Sequence, residues 1–173
     1  MLFYGMELYL MRHGVAIERG TPGFEDDLSR PLTPKGRRQL RKTIKAIQRL
    51  AGKFDLIISS PVLRAKQTAE IVAGEMKLKA QVRYSNALAP AGTSAAILLR
   101  QLEREKPAPK KILLVGHEPD LSGLVAQFVT GGQTLALDFK KGGLCKLEAE
   151  NLRVGQCATL AWLLTPKQLK MLD

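Results

Sequence analysis

The sequence predicts an α/β protein: a three-layer α/β/α domain whose central sheet is mainly parallel. Three short apolar runs, at 6–12, 54–60 and 110–116, lack strict alternation and are typical of strands covered on both faces. Each run is followed by a stretch with the turn residues and the period of a helix, and this order favours parallel strands joined by crossovers. The chain has 173 residues, which suits one domain over residues 1–173.

The first unit consists of a strand at 6–12, a polar loop at 13–33 and a long helix. Thr33 can cap that helix and Pro34 suits its first turn, so we expect the helix to begin there and to end near Leu50. The helical period places one row of apolar side chains on its inward face. The predicted row consists of Leu40, Ile44, Ile47 and Leu50.

The second unit repeats strand and helix. A strand at 54–60 leads into a helix that Pro61 opens. A short strand is predicted at 80–85, and the turn residues at 90–94 precede a helix that ends near Lys106. The residues predicted to face inward on this helix are Ile97, Leu98 and Leu102.

The third unit is a strand at 110–116 followed by a helix that Pro119 opens. The pattern then changes, because the segments 144–150 and 157–165 alternate enough to predict two strands joined by a turn. A short helix at 166–172 is expected to close the chain.

The formal net charge is +11 and the isoelectric point is about 9.9. Such a surplus favours anionic partners such as phosphates, acidic protein faces or nucleic acid. The basic residues are spread over several segments, so solvated helix faces are their ordinary interpretation. Since no basic surface rich in aromatic residues is evident, we expect no nucleic-acid partner.

The two cysteines, Cys145 and Cys157, have neither the spacing of a metal site nor the number of a disulfide framework. We expect small buried side chains in a reducing compartment, and therefore a cytoplasmic location without a membrane partner. No apolar run reaches the length of a membrane span, and the first residues lack the features of a signal peptide. Met6 is a candidate for the natural start, with residues 1–5 as a loose extension.

Both histidines of the chain directly follow predicted strands. Arg12, His13 and Gly14 come at the end of the first strand, and His117 comes at the end of the third. Arg64 lies one turn into the helix after the second strand. Because ligands of parallel sheets bind outside the carboxyl ends of the strands, the sequence predicts a functional site from these residues.

These residue types suit the transfer of a phosphoryl group. The guanidiniums of Arg12 and Arg64 can hold its charged oxygens, and Gly14 permits close approach of the backbone to a ligand. A neutral imidazole can attack phosphorus, while a second, protonated imidazole can stabilise the transition state. No phosphate-binding glycine loop or carboxylate cluster is evident, so we expect no metal and no cofactor.

Three motifs carry a resemblance to a known family. The stretches "LMRHG", "SSPVLRAKQTAE" and "LVGHEPDLS" resemble the histidine phosphatase superfamily, which also contains the phosphoglycerate mutases. "LTPKGRRQ" is similar to that family's usual helix start. The short chain and its ending "WLLTPKQL" are most similar to the small SixA-type protein phosphohistidine phosphatases. The resemblance implies a phosphoglycerate mutase-like three-layer fold.

The resemblance also implies roles for residues in the predicted site. His13 is the implied nucleophile, and Arg12, Arg64 and His117 are the implied phosphate pocket beside Gly14. These are the same residues that the strand-end argument selects.

The proton donor departs from the family pattern. Many larger members supply a carboxylate from the segment after the middle strand, but the matching stretch 85–92 has no acid and Ala87 stands in its place. Each remaining candidate donor also has a purely structural interpretation: Asp120 can cap its helix, and the others can be solvated loop acids. These candidates are Glu18, Asp26, Asp27 and Asp120.

The missing acid favours a particular substrate. An alkoxide needs a positioned acid in order to leave, whereas imidazole leaves more readily from its P–N bond. We therefore expect a phosphatase that removes phosphate from phosphohistidine in a signalling or phosphotransfer protein. A site without a lid, which the sequence also predicts, can admit a protein substrate. The alternatives are a phosphatase of small phosphate esters, such as sugar or nucleotide phosphates, and a non-catalytic phosphate-binding domain. The sequence leaves the oligomeric state open.

Overall fold

Six strands form one sheet in a computed structural model that describes residues 5–172. They are β1 (Met6–Arg12), β2 (Leu56–Ser59), β3 (Val82–Tyr84), β4 (Lys111–Gly116), β5 (Leu144–Ala149) and β6 (Ala158–Leu164). Their order across the sheet is β3-β2-β4-β1-β5-β6. The first four strands pair in parallel, β5 pairs antiparallel with β1, and β6 pairs antiparallel with β5. The predicted α/β class with a mainly parallel sheet is confirmed.

Five α-helices of the described chain cover the sheet: α1 (Pro34–Ala51), α2 (Leu63–Glu75), α3 (Ala95–Arg104), α4 (Asp120–Thr130) and α5 (Pro166–Met171). Side chains of α1, α2 and α5 share one buried cluster, and those of α3 and α4 share a second cluster on the opposite face. Alternate residues of β1 reach opposite layers, since Leu8 and Leu10 join the α3–α4 cluster while Tyr9 and Met11 join the other. The three-layer prediction is therefore confirmed.

Helix starts follow local capping. The hydroxyl of Thr33 accepts a hydrogen bond from the Gly36 N–H at 2.9 Å, and α1 begins at Pro34 as the sequence predicts. In contrast, α2 begins at Leu63 and not at Pro61. The Ser60 hydroxyl accepts a hydrogen bond from the N–H of Val62, and this contact holds the chain in a turn before the helix can start.

Two residues predicted to face inward are exposed. Leu50 is 39% exposed and Ile97 is 46% exposed. The buried row of α3 consists of Ala95, Leu98, Leu99 and Leu102, and Ile97 lies beside it, because the helical period skips that position. In α1 the buried row ends on Ala51, which turns Leu50 toward solvent.

Two predictions concern the ends of the chain and its relation to membranes. Within residues 5–172, no helix combines the length and the apolar character needed to cross a bilayer. The predicted loose extension at 1–5 lies, apart from Gly5, outside the described residues.

Candidate active site

The sheet brings three distant segments to one edge. β4 lies between β1 and β2, and Arg12 of β1 pairs in register with Gly116 of β4. The N–H of His13 donates to the carbonyl of Gly116 at 3.0 Å, and the N–H of Ser60 donates to that of Val115 at 2.9 Å. The residues that follow the three strands therefore lie side by side at the carboxyl edge.

His13 is held as a neutral imidazole with a defined tautomer. Its side chain is buried, and Nδ1 lies 2.7 Å from the carbonyl oxygen of Gly14. Nε–H of Arg64 lies 3.2 Å from Nε2 of the same ring. Because a guanidinium can only donate, Nε2 must accept, and the ring proton resides on Nδ1. The lone pair of Nε2 is the group available for attack.

The pKa of His13 supports the same protonation state. Burial lowers this pKa to about 3, and the nearby His117, Arg64 and Arg12 act in the same direction. The hydrogen bond to the Gly14 carbonyl opposes the shift without cancelling it. The imidazole is therefore uncharged across the neutral pH range.

Gly14 supports the nucleophile through its backbone. Its carbonyl orients His13, and its N–H donates to the hydroxyl of Thr68 in α2 at 3.1 Å. A Cβ at this position would lie 2.8 Å from Cδ1 of Leu40. The glycine that the sequence assigns to close approach of a ligand thus lies against the side chain of Leu40 in α1.

The two predicted arginines are anchored in different ways. Arg64 is buried, and besides its contact with His13 it donates to the backbone carbonyl of Asp27 at 2.7 Å and to Oδ2 of the same residue at 3.1 Å. Nη1 of Arg12 donates to the carbonyl of Phe139 at 2.8 Å. Nε of Arg12 is buried without a hydrogen-bond partner among the described residues.

His117 faces His13 across the pocket. The ring centroids are 5.1 Å apart, and Nε2 of His117 lies 2.9 Å from the hydroxyl oxygen of Ser60. Its Nδ1 is buried and has no partner within residues 5–172. Burial lowers the pKa of His117 to about 4, with further lowering by the charges of Arg64 and Arg12. His117 is therefore uncharged at neutral pH in the free protein, and the expectation of a protonated second imidazole is wrong for this state.

These side chains open onto one cavity of about 470 Å³. His13 and the three side chains of the predicted phosphate pocket line it, together with basic and acidic residues from three loops, whereas Gly14 is not among its lining residues. The full lining consists of Arg12, His13, Glu18, Arg19, Asp27, Arg30, Arg64, Pro90, His117, Glu118 and Lys141.

Asp27 is the acidic centre of an arginine cluster. Its Oδ1 accepts hydrogen bonds from Arg19 at 2.9 Å and from Arg30 at 2.7 Å, and its Oδ2 accepts from Arg64. These contacts, that of Arg19 first, hold the pKa of the carboxyl far below its usual range. Asp27 therefore stays ionised and cannot serve as the proton donor, and its interpretation as a merely solvated loop acid is also wrong.

The other candidate donors lie in different surroundings. Glu18 lines the cavity and is exposed. Asp26 accepts a hydrogen bond from the Leu28 N–H and does not line the cavity. Asp120 lies on a separate cavity and accepts from the Ala91 N–H at 3.3 Å, and the capping position of α4 belongs to Pro119. The prediction that Asp120 caps its helix is therefore wrong.

The segment that lacks an acid is packed into the core. Ala87 is buried within a short 3-10 turn, in the cluster that also contains side chains of α3 and α4. This segment reaches the cavity through Pro90.

Reasoning from the sequence missed five residues of the site: Ser60, Glu118, Arg19, Arg30 and Lys141. Ser60 and Glu118 adjoin predicted residues, so their place at strand ends was a usable signal. Both oxygens of Glu118 accept hydrogen bonds from Ser122, which ties this carboxylate to the first turn of α4. Arg19, Arg30 and Lys141 come from loops, and no local pattern marks their approach to the cavity.

Comparison with known proteins assigns the family. The profile of the histidine phosphatase superfamily (branch 1) matches residues 8–89. An uncharacterised protein of Picosynechococcus sp. is 41% identical over 151 residues, which cover 86% of this chain and 88% of the relative. The phosphohistidine phosphatase SixA of Escherichia coli is 27% identical over 169 residues, which cover 96% of this chain and 98% of that protein.

A solved structure has the same fold. The protein histidine phosphatase SixA complexed with tungstate superposes with a TM-score of 0.76 over 95% of this chain and 99% of that chain, at 23% identity. With the motifs, the sheet order and the paired histidines, these similarities lead to one conclusion: the chain belongs to the histidine phosphatase superfamily.

Proposed function

We propose that this member of the superfamily is a metal-independent phosphatase that acts through a covalent phosphohistidine on His13, and that its substrate is phosphohistidine in a signalling or phosphotransfer protein. The observation that carries the proposal is the neutral imidazole of His13, whose Nε2 faces a cavity lined by Arg12, Arg64 and His117. A nucleophile without charge, surrounded by donors for phosphoryl oxygens, suits attack on phosphorus.

In the first step Nε2 of His13 attacks phosphorus and a P–N bond forms. The P–N bond of the substrate breaks and its electron pair stays on the substrate imidazole, which leaves as a neutral ring because its other nitrogen carries a proton taken from solvent. Nε–H of Arg64, which donates to Nε2 in the free protein, turns to a phosphoryl oxygen once the lone pair is used. Nε of Arg12 and Nδ1 of His117, which lack partners among the described residues, supply two further contacts. The charge of the transferred group is thus matched by side chains of the protein.

In the second step water attacks the phosphorus on His13, and the P–N bond to Nε2 breaks. The water proton leaves to solvent or to the departing phosphate, and inorganic phosphate is released. The hydrogen bond from Nδ1 to the Gly14 carbonyl returns the ring to its starting tautomer.

Two of the three carboxylates that line the cavity support phosphohistidine as the substrate. Asp27 is held ionised by three arginines, and Glu118 is tied to Ser122. Neither carboxylate is placed to donate a proton to a leaving oxygen. An imidazole leaving group depends less on such an acid than an alkoxide does.

A second candidate is the hydrolysis of small phosphate esters such as sugar or nucleotide phosphates. One observation favours it: Glu18 lines the cavity, is exposed and can supply a proton to an ester oxygen. Under this function, Glu18→Gln would lower kcat for esters, whereas phosphohistidine hydrolysis would not require Glu18.

One experiment separates these functions. Wild type and His13→Ala are incubated with a phosphohistidine-bearing phosphotransfer domain and, separately, with a panel of sugar and nucleotide phosphates. We expect phosphate release from the phosphohistidine domain by wild type alone, and an acid-labile phosphoenzyme on His13. Turnover of esters alone would assign the second function, and equal release by both proteins from every substrate would contradict catalysis.

We also propose a cytoplasmic location. Cys145 is buried and Cys157 is half-buried, and both are free thiols. Free thiols are typical of a reducing compartment.

A further inference from the structure

The exposed side of α1 carries an unbroken row of cations. Its members are three and four residues apart, a spacing that aligns side chains along a helix. We name this row the α1 stripe, and at a rise of about 1.5 Å per residue it extends about 21 Å. It consists of Lys35, Arg38, Lys42, Lys45 and Arg49, all of them exposed.

The stripe is unfavourable for the helix itself. Like charges at these spacings destabilise a helix, and α1 contains no acidic residue to offset them. Lys42 and Lys45, at the centre of the stripe, form no ion pair with any carboxylate in residues 5–172, and the same holds for Lys35 and Arg38. A face that needed only solubility would be served by mixed charges, which stabilise a helix.

The stripe is rigidly joined to the active site. The N–H of Thr33 donates to the carbonyl of Val15 at 2.9 Å, two residues after the nucleophile. Gly36 packs so closely there that a Cβ would lie 2.1 Å from the same carbonyl oxygen. Lys141 lines both the catalytic cavity and the groove beside Gly36, so a further cation lies between the first turn of α1 and the cavity.

We propose that the α1 stripe is the docking surface for an acidic face of the phosphohistidine-bearing protein that the catalytic cavity serves. This inference rests on the proposed function and names where its protein substrate binds. A straight row of cations, about 21 Å long at the helical rise, complements a row of carboxylates on a helix or strand of the partner.

Two other kinds of occupant fit the stripe less well. The apolar side of α1 is buried in the core, so the helix has no face to insert into a lipid bilayer. The helix contains no aromatic residue on which a nucleic-acid base could stack.

Docking of this kind affects the rate at which the protein substrate associates with the enzyme. Charge attraction raises the rate at which the acidic protein reaches the cavity, and salt screens that attraction. It contributes nothing to the hydrolysis of a small substrate that touches only the cavity. Protein and free phosphohistidine should therefore respond differently to the charge of the stripe.

The test compares two double variants of equal net charge. Lys42→Glu with Lys45→Glu reverses the centre of the stripe. Lys79→Glu with Lys110→Glu reverses two exposed lysines that precede β3 and β4, at the opposite edge of the sheet. Each variant is assayed on three substrates. They are an acidic phosphotransfer domain that bears phosphohistidine, the same domain with its acidic residues changed to amides, and free phosphohistidine.

We expect the stripe variant to lower kcat/KM for the acidic domain at least tenfold, with a weaker salt dependence, and to change kcat/KM for free phosphohistidine less than twofold. The control variant should retain wild-type values. An unchanged rate on the acidic domain, or an equal loss in the control variant, would overturn the docking site while leaving the proposed function intact.

Two further outcomes would also overturn the inference. Wild type that hydrolyses no phosphohistidine removes both the proposed function and the docking site. A stripe-dependent shift of a 20-base RNA or DNA in a gel, with unchanged protein turnover, would assign the stripe to nucleic acid instead.

Discussion

At the scale of single residues, the site depends on which partner each polar atom has. In the proposed mechanism, His13 is ready for attack because Arg64 can only donate to Nε2 and the Gly14 carbonyl can only accept from Nδ1. Arg64 is in turn placed by both the backbone and the carboxylate of Asp27. The orientation of the nucleophile therefore depends on a loop acid that need not touch the substrate.

The substitution Asp27→Asn tests this dependence. The amide keeps the shape but removes the charge that holds Arg64, Arg19 and Arg30 together. A guanidinium that moves by about 1 Å can cost up to about 100-fold in rate, so we expect kcat to fall between tenfold and 100-fold. Inhibition by inorganic phosphate should change less than kcat, because all the cations remain.

Asp26→Asn is the matched control for this substitution. Asp26 contacts the Leu28 N–H and an amide oxygen can keep that hydrogen bond, so kcat should stay near the wild-type value. Wild-type kcat in Asp27→Asn would contradict the positioning role.

The two buried histidines also predict how stability depends on pH. Their pKa values, about 3 for His13 and about 4 for His117, lie below the value of about 6.5 expected in an unfolded chain. The two imidazoles therefore bind protons in the unfolded chain but not in the folded protein, and stability is lost as pH falls below about 6.5. We expect the free energy of unfolding in urea to decrease by about 2 kcal/mol between pH 7 and 5.5.

The variant His117→Gln isolates one part of this effect. With one histidine left, the same pH change should lower the free energy of unfolding by about half as much. Equal stability of wild type at the two pH values would show that the histidines are not buried as neutral groups.

At the scale of elements, the sequence predicts which strands and helices exist and in what order better than it predicts how their side chains are oriented. Long apolar runs and local caps such as Thr33 depend on neighbouring residues, and the strands and helices built on them were found. Two details were predicted wrongly. Ile97 is exposed because the buried row of α3 lies on a neighbouring face of the helix, and α2 starts late because the Ser60 hydroxyl holds the N–H of Val62 in a turn.

The contact between α1 and the nucleophile loop predicts a strong effect of a single methyl group. A Cβ on Gly36 would lie 2.1 Å from the Val15 carbonyl oxygen, which belongs to the backbone and cannot yield without moving the loop. We expect Gly36→Ala to destabilise the protein by about 1–3 kcal/mol, measured by urea denaturation, and to lower kcat.

Gly74→Ala provides the comparison. The nearest atom to its Cβ would be Cε of a lysine, 3.8 Å away, so the methyl group has room. Since alanine favours a helix over glycine, this variant should be as stable as wild type or more stable by up to about 1 kcal/mol. An equal free energy of unfolding for Gly36→Ala and Gly74→Ala would contradict the close contact at Gly36.

At the scale of the whole molecule, the parallel sheet explains why four of the site residues were predictable. Arg12, His13, Arg64 and His117 follow strands, and strands β1, β4 and β2 are neighbours. The anchors of these residues were not predictable, because Asp27 and Phe139 reach the site from loops whose paths depend on the completed fold.

The hydrogen bond between Arg12 and Phe139 has a consequence for the time at which activity first arises. The two residues are 127 positions apart, and Phe139 lies shortly before β5, which begins at Leu144. During synthesis the nucleophile is made early, while the carbonyl that orients its neighbouring arginine is made late. A nascent chain therefore carries the imidazole long before it carries the carbonyl that holds Arg12, and the proposed phosphate pocket is complete only after Phe139 has been made and has folded against β1.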